Sequence, residues 1–226
     1  MKSAKILIVV ASKIEIEPLL KMLVFVEKKT NNLSSYNYRN KKIDILITGI
    51  GSTETAYHLT KTLISEKYDF CINAGICGSF KNKLKIGEVV NIIQDEFADV
   101  GIADKHDFFT LFDMNFIEKD EFPFKNSVLV NEKSINFNIK KVKAITVNST
   151  SGNIEQIEKR IKKFNPDTES MEGATFFYIC KSENIQSLQI RAVSNYIEER
   201  NKNNWNIELA VNNLASFLEK NIFTKF

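Results

Sequence analysis

Two short stretches hold the residues with the most chemical content: Thr168-Glu169-Ser170-Met171-Glu172-Gly173-Ala174 and Leu188-Gln189-Ile190-Arg191-Ala192-Val193-Ser194-Asn195. The first reads as a helix start. Ser170 is a favoured N-cap type, and Met171, Ala174, Thr175 and Tyr178 follow at helical spacing. Glu172 would then sit in the first turn, where the helix dipole favours an ionised carboxylate. The second stretch reads as a buried strand carrying Arg191 and delivering Asn195 just beyond its carboxyl end, the edge at which open α/β sheets bind ligands. A carboxylate, a guanidinium and an amide gathered there could stabilise charge and recognise a polar ligand. By residue type alone Glu172 is better read as ordinary capping chemistry.

The elements that would position these groups alternate along the chain. Lys5 to Ala11 is an apolar run, as expected of a strand buried on both faces. Ser12 offers an N-cap to a helix with Ile16, Leu19, Leu20 and Leu23 on one stripe and Pro18 in about its first turn. Glu15 lies in that strand-to-helix junction, where a carboxylate is usually solvated, with Glu17 two residues on. Val24 to Lys42, with Tyr36 and Tyr38 alternating, reads as a peripheral hairpin. Ile43 to Thr48 is a strand, followed by Gly49-Ile50-Gly51-Ser52 and a helix from Thr53 to Ser65. The third glycine of a dinucleotide fingerprint would fall at Glu54, which removes that reading. The glycines instead allow backbone amides to approach a small ligand.

Tyr68 to Ala74 is a third strand, leading into a loop Gly75-Ile76-Cys77-Gly78-Ser79. Cys77 has no histidine nearby in sequence to activate it, so a covalent role is not expected. Gly87 to Gln94 and Ala144 to Val147 are further strands, Ile154 to Phe164 is a helix, and Ile207 to Ile222 is a last helix capped by Asn206. Seven phenylalanines, Phe97, Phe108, Phe109, Phe112, Phe116, Phe122 and Phe124, mark the intervening region, either as packing or as a pocket for an apolar group. The alternation argues a three-layer α/β/α fold with a mixed central sheet, as one domain over residues 1–226.

Composition narrows the class. A hydrophobic fraction of 43% and a charged fraction of 26% are those of a globular protein, and a net charge of +3 from scattered lysines does not suggest a nucleic-acid partner. Three cysteines, Cys71, Cys77 and Cys180, without a Cys-x-x-Cys pair, suit reduced thiols. Neither His58 nor His106 has metal-ligand spacing to a cysteine, so no metal is expected. The apolar run Ile6 to Ala11 is too short for a secretion signal and no run approaches a membrane span, which points to the cytoplasm and no membrane partner.

The order Glu-Ser-Met-Glu-Gly-Ala, about twenty residues, then Arg-Ala-Val-Ser-Asn resembles the nucleoside phosphorylase superfamily, most closely its futalosine hydrolase branch. The resemblance runs from about Lys5 to the C-terminal helix and is weakest over Val24 to Lys42 and His106 to Lys143. It implies the nucleoside phosphorylase fold, commonly a homodimer, and hydrolysis of the N-glycosidic bond of futalosine to hypoxanthine and dehypoxanthine futalosine, a step towards menaquinone, without a cofactor. On this resemblance Glu15 activates water, Met171 and Glu172 hold the ribose, and Asn195 faces the purine. Arg191, at a strand end, reads equally as an organiser of the carboxylates and water or as half of a structural ion pair. Ile50, Gly51, Cys77 and Gly78 border the sugar and the base, as does the polar loop Asn148 to Gly152.

Methylthioadenosine nucleosidases of the superfamily carry Asp where Asn195 stands. A protonated Asp donates to purine N7 and accepts from a 6-amino group. Asn donates to a 6-keto oxygen and accepts from N7–H, which suits hypoxanthine. An amide is no general acid, so water or a stabilised anionic base must serve departure. A methylthioadenosine or adenosylhomocysteine nucleosidase, a phosphorylase and a non-catalytic nucleoside binder are the alternatives. Glu15 would repel phosphate and be superfluous to a binder. Lys105, His106 and Arg200 are the candidates for meeting a substrate carboxylate.

Overall fold

The computed structural model describes residues 4–224 apart from 81–82, 106, 133–134, 136 and 200–203. The apolar run becomes β1 (Ile6–Val10), buried throughout, and its side chains alternate between two cores. Ile6, Ile8 and Val10 pack with Ile16 and Leu19 of α1 (Lys13–Leu20) and Leu214 of α5 (Ile207–Phe217). Leu7 and Val9 pack with Leu59 and Leu63 of α2 (Ser52–Ser65) and Phe177 of α4 (Gly173–Ser182). Each such side chain contributes about 1.5–3 kcal/mol on burial, so two-sided packing holds this strand in the middle of the molecule.

The main sheet is mixed. β1 pairs in parallel with β4 (Lys41–Ile47) and β5 (Phe70–Phe80), and β5 in parallel with β12 (Gln186–Ile197). β6 (Val89–Phe97) runs antiparallel to β12 and parallel to β10 (Lys141–Thr146). The expected hairpin forms as β2 (Val24–Lys28) and β3 (Leu33–Tyr38), joined to the β4 edge. β11 (Thr168–Ser170) pairs with β10 on one side and β5 on the other, so five strands close into a ring. The short strands β7 (Gly101–Asp104) and β8 (Asp107–Thr110) form a ribbon, and β9 (Leu129–Val130) adds to β6. α3 (Ile154–Phe164) covers a smaller core of Phe80, Ile145 and Val147 through Ile157 and Phe164. The architecture is the expected three-layer α/β/α with a mixed sheet.

Several local expectations are corrected. Gly75 to Ser79 is strand rather than loop, because β12 pairs along it and β11 takes its far side. Asn195 lies inside β12, past a register shift between Val193 and Asn195, rather than beyond the strand. Ser170 does not cap a helix: it ends β11, where its backbone is paired to Thr146. α4 starts at Gly173 with Glu172 in the N-cap position. Pro18 falls in the second turn of α1, which ends two residues later at Leu20. The last helix continues from α5 as a π-helical turn, Leu218–Ile222. None of the described helices is long and apolar enough to cross a membrane.

Candidate active site

The carboxyl end of β1 turns into α1 at Ser12, and Glu15 reaches back over that turn. Its Oε2 accepts from the amides of Ala11 (3.1 Å) and Ser12 (2.9 Å), and its Oε1 accepts from the amide of Ile76 on β5 (3.0 Å). The expectation of a solvated carboxylate is overturned, since Glu15 is only 6% exposed. Burial raises its pKa, the Arg191 charge opposes that, and nearby Glu172 adds to it. Glu17 is exposed on the outer face of α1.

Glu172 makes no capping bond to its own helix. Its Oε1 instead accepts from the amide of Gly51 (3.0 Å), in the turn between β4 and α2, so plain capping does not describe it. Its Oε2 stands 3.7 Å from Arg191 Nη1. Arg191 is 1% exposed and donates to neutral oxygens: the Gln189 side-chain carbonyl (3.2 Å), the Asn73 side-chain carbonyl and the Ile76 backbone carbonyl (3.4 Å). Its charge is therefore fixed in place without a carboxylate bonded to it, and it bears on both Glu15 and Glu172. Gly75 makes room for this. A Cβ there would fall 2.3 Å from Arg191 Nη1 and 2.7 Å from Glu15 Oε1, closer than any side chain can sit.

These groups border a cavity of about 320 Å³. Glu15, Cys77, Gly78, Met171, Glu172 and Asn195 line it, and Ile50, 64% exposed, stands at its edge. Gly51 and Arg191 lie behind the wall, bonded or paired to Glu172. Asn195 is half-buried, with Nδ2 donating to the Tyr196 carbonyl (3.0 Å) and Oδ1 accepting from the Ser194 hydroxyl (2.8 Å). That leaves one amide hydrogen and one oxygen lone pair for a ligand. The Cys77 thiol is buried and pushed up to about 12 by that burial, which suits packing rather than nucleophilic attack.

The loop containing Thr150 and Ser151 also lines the cavity and is held from below. Glu169 accepts from the Ser151 amide (2.8 Å) and hydroxyl (2.7 Å), and Arg160 of α3 bonds Glu169 (2.8 Å) and the Ser149 carbonyl (2.9 Å). Among the described residues, none of the seven phenylalanines faces this cavity. Phe97, Phe112, Phe122 and Phe124 line a separate one of about 520 Å³ against Tyr178. Lys105 is exposed in the β7–β8 turn and away from the cavity wall, while His106 and Arg200 lie outside the described residues. No group of three possible metal ligands occurs among the described residues.

Sequence reasoning passed over Asn73 and Gln189, which hold Arg191. The signal was present: Asn73 is a lone polar residue inside an apolar strand run, Gln189 stands between Leu188 and Ile190, and a buried polar group must find a partner.

Residues 5–222 match the family profile described as the phosphorylase superfamily. The chain belongs to that superfamily. This phosphorylase-superfamily chain is 24% identical over 164 residues to a DeoD-type purine nucleoside phosphorylase of Buchnera aphidicola subsp. Schizaphis graminum, across 71% of this chain and 66% of that protein. It is 23% identical over 175 residues to a futalosine hydrolase of Thermus thermophilus, across 75% of this chain and 76% of that protein. Its fold matches the crystal structure of a Helicobacter pylori 5'-methylthioadenosine/S-adenosylhomocysteine nucleosidase with a TM-score of 0.82, at 20% identity over 97% of each chain. Purine nucleoside phosphorylases, 5'-methylthioadenosine/S-adenosylhomocysteine nucleosidases and a futalosine hydrolase all stand among its relatives.

Proposed function

We propose that the protein hydrolyses futalosine at its N-glycosidic bond and releases hypoxanthine. Cleavage of such a bond develops positive charge on the ribosyl group while the purine departs. Glu172 stabilises that charge and holds ribose hydroxyls, with Met171 beside it. Glu15 orients and deprotonates the water, helped by a raised pKa, which makes it a stronger base than an ordinary carboxylate. Arg191 keeps the two carboxylates together in one buried site.

Water rather than phosphate is the nucleophile in this reading because Glu15 occupies the amides of Ala11 and Ser12. Those donors would otherwise suit an anion, and a carboxylate there repels one. The observation that carries the substrate assignment is Asn195, whose free N–H and lone pair match O6 and N7–H of hypoxanthine together. Incubation with futalosine, inosine and methylthioadenosine, with and without phosphate, tests it by the bases released. Phosphate-independent hypoxanthine release from futalosine is expected. Faster adenine release from methylthioadenosine would favour the methylthioadenosine nucleosidase reading instead.

Asn195→Asp gives the residue-level test. With an adenine nucleoside the wild-type amide sets donor against donor, and leaving such buried groups unpaired costs about 1–3 kcal/mol, or roughly ten- to a hundredfold in selectivity. The carboxyl of the variant presents an acceptor to the amino group and, when protonated, a donor to N7. The ratio of kcat/KM for futalosine to that for its 6-amino analogue is expected to narrow or invert. An equal change on both substrates would mean that Asn195 does not read the base.

The homodimer belongs to the same proposal, supported by the exposed apolar side chains Tyr57 and Ile64 on α2 and Ile50 beside the cavity. Sedimentation at the mass of one chain would remove it.

A further inference from the structure

Asp95 is fully buried on β6 and lines none of the cavity, and its carboxylate accepts from Gln189 and Thr146. Two hydrogen-bond chains end on it. In one, Arg191 Nε donates to Gln189 Oε1 (3.2 Å) and Gln189 Nε2 donates to Asp95 Oδ2 (3.0 Å). In the other, the Ala174 amide donates to Thr146 Oγ1 (2.7 Å) and Thr146 Oγ1 donates to Asp95 Oδ1 (3.0 Å). Thr146, Ala174 and Gln189 are as buried as Asp95, so no water replaces a missing partner.

Direction is the point of this arrangement. A side-chain amide can be turned either way, but an ionised carboxylate only accepts. Asp95 therefore forces the NH₂ of Gln189 towards itself and the Gln189 carbonyl towards Arg191. The opposite orientation would set NH₂ against the guanidinium, donor facing donor. The second chain pins the amide of Ala174, two residues after Glu172. Gly173 lies over the junction of the two chains. A Cβ there would fall 2.2 Å from both Asp95 Oδ2 and Gln189 Oε1, so only glycine lets the Glu172 turn come this close.

We propose that Asp95 is a positioning residue for glycosidic hydrolysis: as common acceptor of both chains, it sets the hydrogen-bond direction that holds Arg191 and Glu172 in register. The inference rests on the roles given above to Glu172 and Arg191. Asp95→Asn keeps the shape but supplies two donors and one acceptor, so at least one chain must reverse. Gln189→Met keeps the volume and leaves Arg191 Nε without its acceptor.

The test is a double-mutant cycle on kcat, using whichever of the three nucleosides the wild type cleaves, with active sites counted and folding followed by near-UV circular dichroism. Asp95→Asn is expected to lower kcat at least tenfold in the wild-type background with KM within about threefold, and less than threefold in an Arg191→Met background. If Asp95→Asn fails to fold, the same cycle on Gln189→Met decides. Arg191→Lys replaces Arg191→Met if that background fails. A merely structural role would reduce the folded fraction and multiply fully with the Arg191 substitution, which overturns the proposal. A wild-type kcat in folded Asp95→Asn overturns it as well. If Arg191→Met and Glu172→Gln turn over normally, the site assignment falls and takes the proposal with it. If those are slow while Asp95→Asn and Gln189→Met are not, the proposal falls alone.

Discussion

Glu15→Gln is expected to lower kcat by about 10²–10⁴-fold, the range that a positioned general base supplies. Both oxygens of Glu15 accept from backbone amides, on Ala11 and Ser12 at one end and on Ile76 at the other. A glutamine has one acceptor end, so its NH₂ must face an amide hydrogen on one side or the other. The variant therefore also loses about 1–3 kcal/mol of stability from the unpaired buried donor, and melting curves should be read beside the kinetics. KM should change far less than kcat, because the loss falls on the transition state.

The pH profile separates the two effects. Glu15 works as a base only when ionised, and burial has moved its pKa above the ordinary carboxylate value. Wild-type kcat should accordingly fall as pH is lowered through that raised pKa, and the residual rate of Glu15→Gln should lack this acid limb. Glu17→Gln is the matched control, since Glu17 is exposed and off the cavity wall. If Glu17→Gln is the inactive variant and Glu15→Gln turns over normally, the assignment of the base is wrong.

Glu172→Gln is expected to keep the fold and reduce turnover at least about 10²-fold through lost electrostatic stabilisation. The fold survives because a glutamine carbonyl can still accept from the Gly51 amide, the side-chain hydrogen bond of Glu172 among the described residues. What is lost is the negative charge standing 3.7 Å from Arg191 and facing the cavity. Single-turnover kinetics on folded protein reads this directly. Near-normal turnover would take Glu172 out of the chemistry and leave its contact with Gly51 as structural.

Much of the frame was legible from residues alone. The apolar run Ile6–Val10 could only be a strand covered on both sides, and Ser12 and Asn206 stand at the starts of the helices whose apolar stripes follow them. These features are legible because burial and capping leave their mark within a few residues of chain. The chemical inventory of the site was legible for a different reason: Glu15, Met171, Glu172, Arg191 and Asn195 stand in an order that resembles a known superfamily.

Tertiary structure alone decided how those groups meet. Whether Gly75 to Ser79 is loop or strand depends on β12 and β11, about ninety residues or more away in the chain, offering partners on both sides. Ser170 looked like a cap because its type suits one. Its backbone is committed to Thr146 instead, and α4 begins later with Glu172 turned across to Gly51. Polar residues on buried strands, such as Asn73, Asp95 and Gln189, announce only that each needs a partner. Which partner each finds is set by which strands become neighbours and in what register. That is a sum of contacts far apart in sequence, and no local pattern contains it.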